Sequence, residues 1–368
     1  MKAETVKLIH GGDLQSAAMR YGIELEEWID LSTGINPCAY PIPKLNEICF
    51  QQLPYLSTEF KKAVTFYYGS DRFAACSGSQ QVIELLPKLL PKLPVLLPSL
   101  GYQEHSESWI NACEDERDIH FYPATDQDVA IERIEFQLEQ GEPFHLVVIN
   151  PNNPTGLSFS VTQLFDWSSR LAEGGFLIVD EAFIDLHPEQ SVLSHYDEFH
   201  TVDNLVVMRS FGKFFGLAGL RLGFLFGPEV VLQAVHNRIG IWSINGPAQA
   251  VAIDAFNNRT WQMNNRVNIR LNSERTLTLF SPLLKRIEAK MQGTSLLFSS
   301  WWVESEQLEQ MYDFFAQRGV LLRVIEEGVA LNKPSDLSLL RLGIIDAENE
   351  SIVLKLQQVI DEFILTFD

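Results

Sequence analysis

From about Phe73 to Gly227, short apolar runs alternate with longer stretches of helical periodicity. The runs are Leu93–Leu97, Asp118–Tyr122, His145–Asn150, Phe176–Asp180, Leu205–Arg209 and Leu222–Phe226. Such alternation predicts βαβ units, hence a largely parallel sheet with helices on both faces. After Gly246-Pro247 helical periodicity dominates to about Lys290. Thereafter Ser295–Val303, Leu321–Val324 and Leu339–Gly343 read as strands of a smaller α+β unit. The expected fold class is therefore α/β, with a large domain over residues 41–260 and a smaller C-terminal domain over 261–368. An N-terminal segment, residues 1–40, is expected to pack with the small domain. No repeat, low-complexity tract or long Gly/Ser/Pro linker separates these parts.

Polar residues gather just past the carboxyl ends of three runs: Asn150–Gly156, Asp180–Asp185 and Ser210–Lys213. An open α/β sheet binds its ligands at that edge.

Charge and composition narrow the partners. At 368 residues and 46% hydrophobic the chain can bury a large core, and a net charge of -20 opposes any electrostatic grip on nucleic acid or anionic membrane. A few arginines in a cleft can still reverse the local potential for an anionic substrate. No apolar stretch approaches the roughly 20 residues of a membrane helix, and no charged and then apolar leader opens at Met1. Cys38, Cys49, Cys76 and Cys113 lack paired metal-ligand spacing, so reduced thiols, no structural metal and a cytoplasmic location are expected.

Three segments carry candidate chemistry. Arg209-Ser-Phe-Gly-Lys213 places a lysine after a buried strand in a small-residue loop, with Arg221 eight residues on. A lysine partly desolvated there can form an imine with an aldehyde; a solvated loop lysine is the alternative. Asp180 ends an apolar strand, where it can pair with a protonated pyridine nitrogen or cap a helix. Asn150-Pro-Asn-Asn-Pro-Thr-Gly156 is a rigid turn able to present the Asn153 amide.

Taken together, these segments resemble, in order and spacing, the aspartate-aminotransferase-like superfamily of fold type I pyridoxal-phosphate enzymes. The resemblance covers nearly the whole chain. It implies pyridoxal 5'-phosphate as cofactor, held as an imine on Lys213, with Asp180 on the pyridine nitrogen and Asn153 on the phenolic oxygen. Ser210 and Arg221 would hold the phosphate with Ser77, Gly78, Ser79 and Gln80, an expected helix N-terminus suited to an anion. Phe183 stands where many aminotransferases carry a tyrosine near the phenolic oxygen. Gly212 stands where a second phosphate-binding hydroxyl is common.

The opening, His10-Gly-Gly-Asp13 and Trp28-Ile-Asp-Leu-Ser-Thr-Gly-Ile-Asn-Pro37, resembles the threonine-phosphate decarboxylases of cobalamin biosynthesis, relatives of histidinol-phosphate aminotransferases. Tyr102-Gln-Glu-His105, Asp180-Glu-Ala-Phe183, Ile241–Pro247 and Leu340-Arg-Leu-Gly343 agree with it. That resemblance implies decarboxylation of L-threonine O-3-phosphate to (R)-1-amino-2-propanol O-2-phosphate; a histidinol-phosphate-type aminotransferase is the alternative. It implies that Arg323 and Arg341 bind the phosphorylated amino acid, assisted by His10, Gly11 and Asn36. It also implies that Tyr102 stacks on the cofactor, with His105 as the competitor. A homodimer is implied as well, and whether Tyr55 reaches the neighbouring subunit's cofactor phosphate stays open.

Overall fold

The computed structural model describes residues 11–113, 115–325 and 336–367. They form two compact units, one of residues 35–268 and one that joins residues 11–34 to the described residues from 269 onward. The limits expected at 40 and 260 fall instead at 34 and 268. The second lies inside the continuous helix Arg259–Arg286, where periodicity gives no sign of a change.

The larger unit is built on seven strands: β1 (Phe73–Cys76), β2 (Val95–Pro98), β3 (Ile119–Tyr122), β4 (His145–Ile149), β5 (Leu177–Asp180), β6 (Leu205–Ser210) and β7 (Gly223–Phe226). Their spatial order is β1-β7-β6-β5-β4-β2-β3. Only β7 runs against its neighbours; the other pairs are parallel. The carboxyl ends of β1, β2, β4, β5 and β6 therefore share one edge of the sheet. β1 is only Phe73-Ala-Ala-Cys76, too short and alanine-rich to stand out as an apolar run. Val147, Ile178, Val206, Met208 and Leu225 pack one sheet face against helices Ser79–Leu89 and Glu229–Ile239, through Val82, Ile83, Leu86, Val231 and Val235. Fully burying side chains of this size contributes about 1.5–3 kcal/mol each, which is why these elements hold the polar edge rigidly.

The smaller unit carries a four-stranded antiparallel sheet of β8 (Lys290–Thr294), β9 (Phe298–Glu304), β10 (Arg323–Ile325) and β11 (Leu337–Gly343), in the order β10-β11-β9-β8. Two expected strands are redrawn. Ser295–Val303 begins as a turn with Leu296 at φ 66°, and pairing to β11 starts only at Phe298. Leu321–Val324 divides: Val320–Leu321 pairs in parallel with Ile29–Asp30, while Arg323–Ile325 joins β11. Leu31, Phe280, Leu283, Leu308, Met311, Phe315, Leu340 and Ile360 form its core. Among the described residues no helix is long and apolar enough to cross a membrane.

Candidate active site

The lysine segment is fixed from both sides. β6 delivers the chain into the short helix Phe211–Phe214, whose Phe211 and Phe214 are buried in an aromatic cluster with Phe215, Phe256 and Trp261. The Asn36 N–H donates to the Lys213 carbonyl at 3.0 Å, and the Asn36 and Asn265 amides both donate to the Phe214 carbonyl. Gly216, at φ +68°, allows this close approach, since a Cβ there would sit 2.7 Å from the Asn36 carbonyl oxygen.

Lys213 faces a cavity of about 120 Å³ at the common edge of the sheet. Its walls include Gly78, Ser79 and Gln80 after β1, Tyr102 after β2, Asn153 after β4, Asp180 and Phe183 at the end of β5, and Ser210 and Arg221. The lysine Nζ stands 5.6 Å from the Phe183 ring centroid. Each loop is held by its own bonds. Asn150 brackets the turn that carries Asn153 by bonding both the N–H and the carbonyl of Phe159. The Asp180 carboxylate accepts from the Ala182 N–H at 3.0 Å. Behind it Arg209 forms a buried ion-pair cluster with Glu181 and Asp185, 3.3 and 2.7 Å away. Burial pushes the Glu181 carboxyl up against the opposing pull of Arg209.

Gly78 and Gly223 make a cradle. Gly78 lies at φ +80°, ψ 155°, just before helix Ser79–Leu89, and a Cβ on it would meet the Arg221 guanidinium at 2.6 Å. A Cβ on Gly223 would meet the Ser79 amide nitrogen at 2.5 Å. A helix N-terminus and a guanidinium so brought together suit a phosphate. The cavity thus offers an amine, a carboxylate, an amide and an anion cradle around one small volume. Those groups fit a planar aldehyde with a ring nitrogen, a phenolic oxygen and a phosphate.

Two residues singled out from sequence, Ser77 and Asn36, lie outside the wall of this cavity and bond other parts of the chain. The Ser77 hydroxyl donates to the Ser243 carbonyl and its N–H to the Gln81 side chain, and Ser77 is not in the wall. The Asn36 amide is engaged by the carbonyls of Cys38 and Phe214, by Asn265 and by the Cys38 N–H, so it positions the lysine segment. Tyr102 lines the cavity with its hydroxyl on Gln80 at 3.0 Å, whereas His105 lies behind Asp180. Gly212 has no room for the missing hydroxyl, because a Cβ there would come within 2.7 Å of Ala218 Cα. Sequence reasoning overlooked the hydrophobic wall of Ile149, Ala182, Ala218 and Leu222, which carries no chemical signature.

In the smaller unit Arg323 and Arg341 are direct cross-strand partners. Arg341 is buried, donates to the Ser32 carbonyl, and lies 3.2 Å from where a Cβ on Gly11 would be. Arg323 lines a cavity of about 410 Å³ with Asp13, Arg20, Ser32 and Tyr312. His10 lies outside the described residues.

The family model for aminotransferase class I and II matches residues 45–327. The chain belongs to the class I and II aminotransferase family. The curated threonine-phosphate decarboxylase of Pseudomonas aeruginosa is 37% identical over 88% of this chain and 92% of its own length. That of a Sinorhizobium species is 38% identical over 67% of this chain and 70% of its own. The crystal structure of histidinol-phosphate aminotransferase from Sinorhizobium meliloti, in complex with pyridoxal 5'-phosphate, superposes with a TM-score of 0.72. It covers 99% of both chains at 16% identity, which establishes the fold. Class I and II aminotransferases use pyridoxal 5'-phosphate, and the groups around Lys213 supply what that cofactor requires.

Proposed function

We propose that this chain is a threonine-phosphate decarboxylase, converting L-threonine O-3-phosphate and a proton to (R)-1-amino-2-propanol O-2-phosphate and CO₂ in cobalamin biosynthesis. The observation that carries the chemistry is the single cavity uniting Lys213 and the buried Asp180; similarity to two curated decarboxylases, over 88% and 67% of this chain, supports the substrate.

Bound pyridoxal 5'-phosphate supplies an electron sink for the bond broken at the substrate Cα. Lys213 would anchor the cofactor and is the amine placed to hand a proton to the substrate Cα. Asp180 would face the ring nitrogen, Asn153 the phenolic oxygen, and Arg221, Ser210 and the Ser79 helix N-terminus would hold the phosphate, with Tyr102 against the ring. Arg323 and Arg341 hold the substrate's carboxylate and phosphate, which sets which Cα bond is broken.

A homodimer fits the surface of the larger unit. Phe50, Leu53, Tyr55, Ile241 and Trp242 are each about half or more exposed, and the Tyr55 and Trp242 rings meet edge to face at 6.1 Å. Apolar side chains clustered in this way mark an interaction surface. The acidic charge and the four cysteines, none of them in a disulfide, fit a cytoplasmic enzyme.

The deciding assay measures CO₂ from threonine phosphate with and without 2-oxoglutarate. Stoichiometric CO₂ without the oxo acid is expected. Oxo-acid-dependent amino transfer without CO₂ would establish the aminotransferase instead.

A further inference from the structure

Gln80 joins two walls of the cavity. It is the second residue of helix Ser79–Leu89, so its main chain lies at the helix N-terminus next to Gly78 and Arg221, and the residue lines the cavity that Tyr102 also lines. Its amide nitrogen donates to the Glu104 carboxylate at 2.6 Å and to the Glu84 carboxylate at 3.0 Å. An amide nitrogen carries two hydrogens, and an ionised carboxylate only accepts, so both hydrogens are taken. That decides which way the amide points. Its oxygen is left to accept, and the Tyr102 hydroxyl, 3.0 Å away, is the donor. A flipped amide would set its oxygen against two carboxylates. Glu84 stands one turn beyond Gln80 on its own helix, whereas Glu104 lies in the first turn of helix Gln103–Ala112, which Tyr102 caps. Carboxylates from two helices therefore orient one amide, and that amide holds one phenol. A phenylalanine at position 102 would wall the cavity equally well, so what the hydroxyl adds is a fixed direction for the ring.

We propose that Gln80 is a positioning residue: its amide, oriented by Glu84 and Glu104, fixes the Tyr102 ring against the cofactor and ties that ring to the helix N-terminus that receives the phosphate. Contact between aromatic rings depends on their offset and tilt, so a phenol released from its acceptor makes a poorer wall although its area is unchanged. The proposal rests on the reading above in which Tyr102 lies against the cofactor ring.

The test measures cofactor dissociation constants by absorbance titration for Gln80→Leu, Tyr102→Phe and the double variant. Each single change is expected to weaken retention about three- to tenfold, the range for one neutral hydrogen bond. The double variant should lie within about twofold of the weaker single one, because both changes remove the same bond. The induced circular dichroism of the bound cofactor's visible band should fall alike in all three, with KM for threonine phosphate held within about twofold. In cofactor-free protein the ¹³Cζ resonance of Tyr102 should move on Gln80→Leu. Gln80→Met takes its place if Gln80→Leu does not fold. Losses that multiply in the double variant, or retention in the Gln80 variant equal to wild type, would overturn the proposal. If Tyr102→Ala also retains the cofactor like wild type, Tyr102 does not meet the ring and the proposal falls with that reading. A crippled Tyr102→Ala beside a silent Gln80 variant removes the proposal alone.

Discussion

Arg323 and Arg341 stand directly opposite one another on the antiparallel strands β10 and β11, so their side chains leave the same face of the sheet. Two guanidiniums at one register are poorly matched to each other and well matched to a substrate with two anionic groups. Replacing either by Gln is expected to lower kcat/KM for threonine phosphate at least tenfold, the cost of a lost charge-assisted contact of about 1.5–3 kcal/mol. The ratio of CO₂ released to amino group transferred should fall as well, because a looser substrate can present Cα–H. Steady-state assays with both readouts check this, with free threonine as the poor-substrate control.

Lys213→Ala should abolish turnover and leave the fold intact. The main-chain bonds from Asn36 and the aromatic packing of Phe211 and Phe214 do not depend on the amine. Circular dichroism against activity separates the two effects. Turnover within tenfold of wild type would remove the lysine from the chemistry.

The glycine cradle gives a sharper expectation. Gly78→Ala demands a backbone region that is nearly glycine-only and places a Cβ against Arg221, so it should cost about 1–3 kcal/mol and weaken cofactor retention. Gly212→Ser, which adds a hydroxyl beside Lys213, should also weaken retention, because Ala218 occupies the space. Cofactor dissociation constants from absorbance titration test both.

His145 is a pH sensor of stability rather than of catalysis. It is fully buried, its Nδ1 accepts the Phe176 N–H at 3.1 Å, and its Nε2 bonds the Pro91 carbonyl. Burial holds its pKa below the ordinary 6.5. A depressed folded-state pKa gives stability that is present above the unfolded value and lost as pH falls through the folded one. Folding stability should therefore decline below about pH 6.5, by at most about 1.4 kcal/mol per pH unit from this group, and Tm with it. His145→Gln should shrink the difference in Tm between pH 7 and pH 5.5.

Charging the apolar surface should break the dimer. Trp242→Asp or Phe50→Glu is expected to shift sedimentation toward monomer, and an unchanged dimer would place the interface elsewhere.

The buried strands were legible because β4, β5 and β6 are runs of β-branched and aliphatic residues, and the polar clusters after them marked the ligand edge. That Lys213, Asp180, Asn153 and Arg221 gather around one cavity was readable through motif and spacing. The partners of Ser77 and Asn36 were not legible because a polar side chain in a motif carries no label for its acceptor. The carbonyls they bond lie far along the chain, at Ser243 and Phe214. The strand at Leu321–Val324 was misread for a related reason: a short apolar run does not reveal that its two halves pair with different partners.

The sequence by itself determined the alternation of strands and helices in the larger unit, the candidate lysine and carboxylate, and the acidic net charge. These follow from residue type and local period. Tertiary structure alone decided that His105 backs Asp180 rather than lining the cavity, that Gly78 and Gly212 are fixed by Arg221 and Ala218, and that Arg323 stands opposite Arg341 in the strand register. Each is a contact between residues distant in the chain or set by side-chain direction. Composition and periodicity report which face a residue takes, and only packing reports what it meets there.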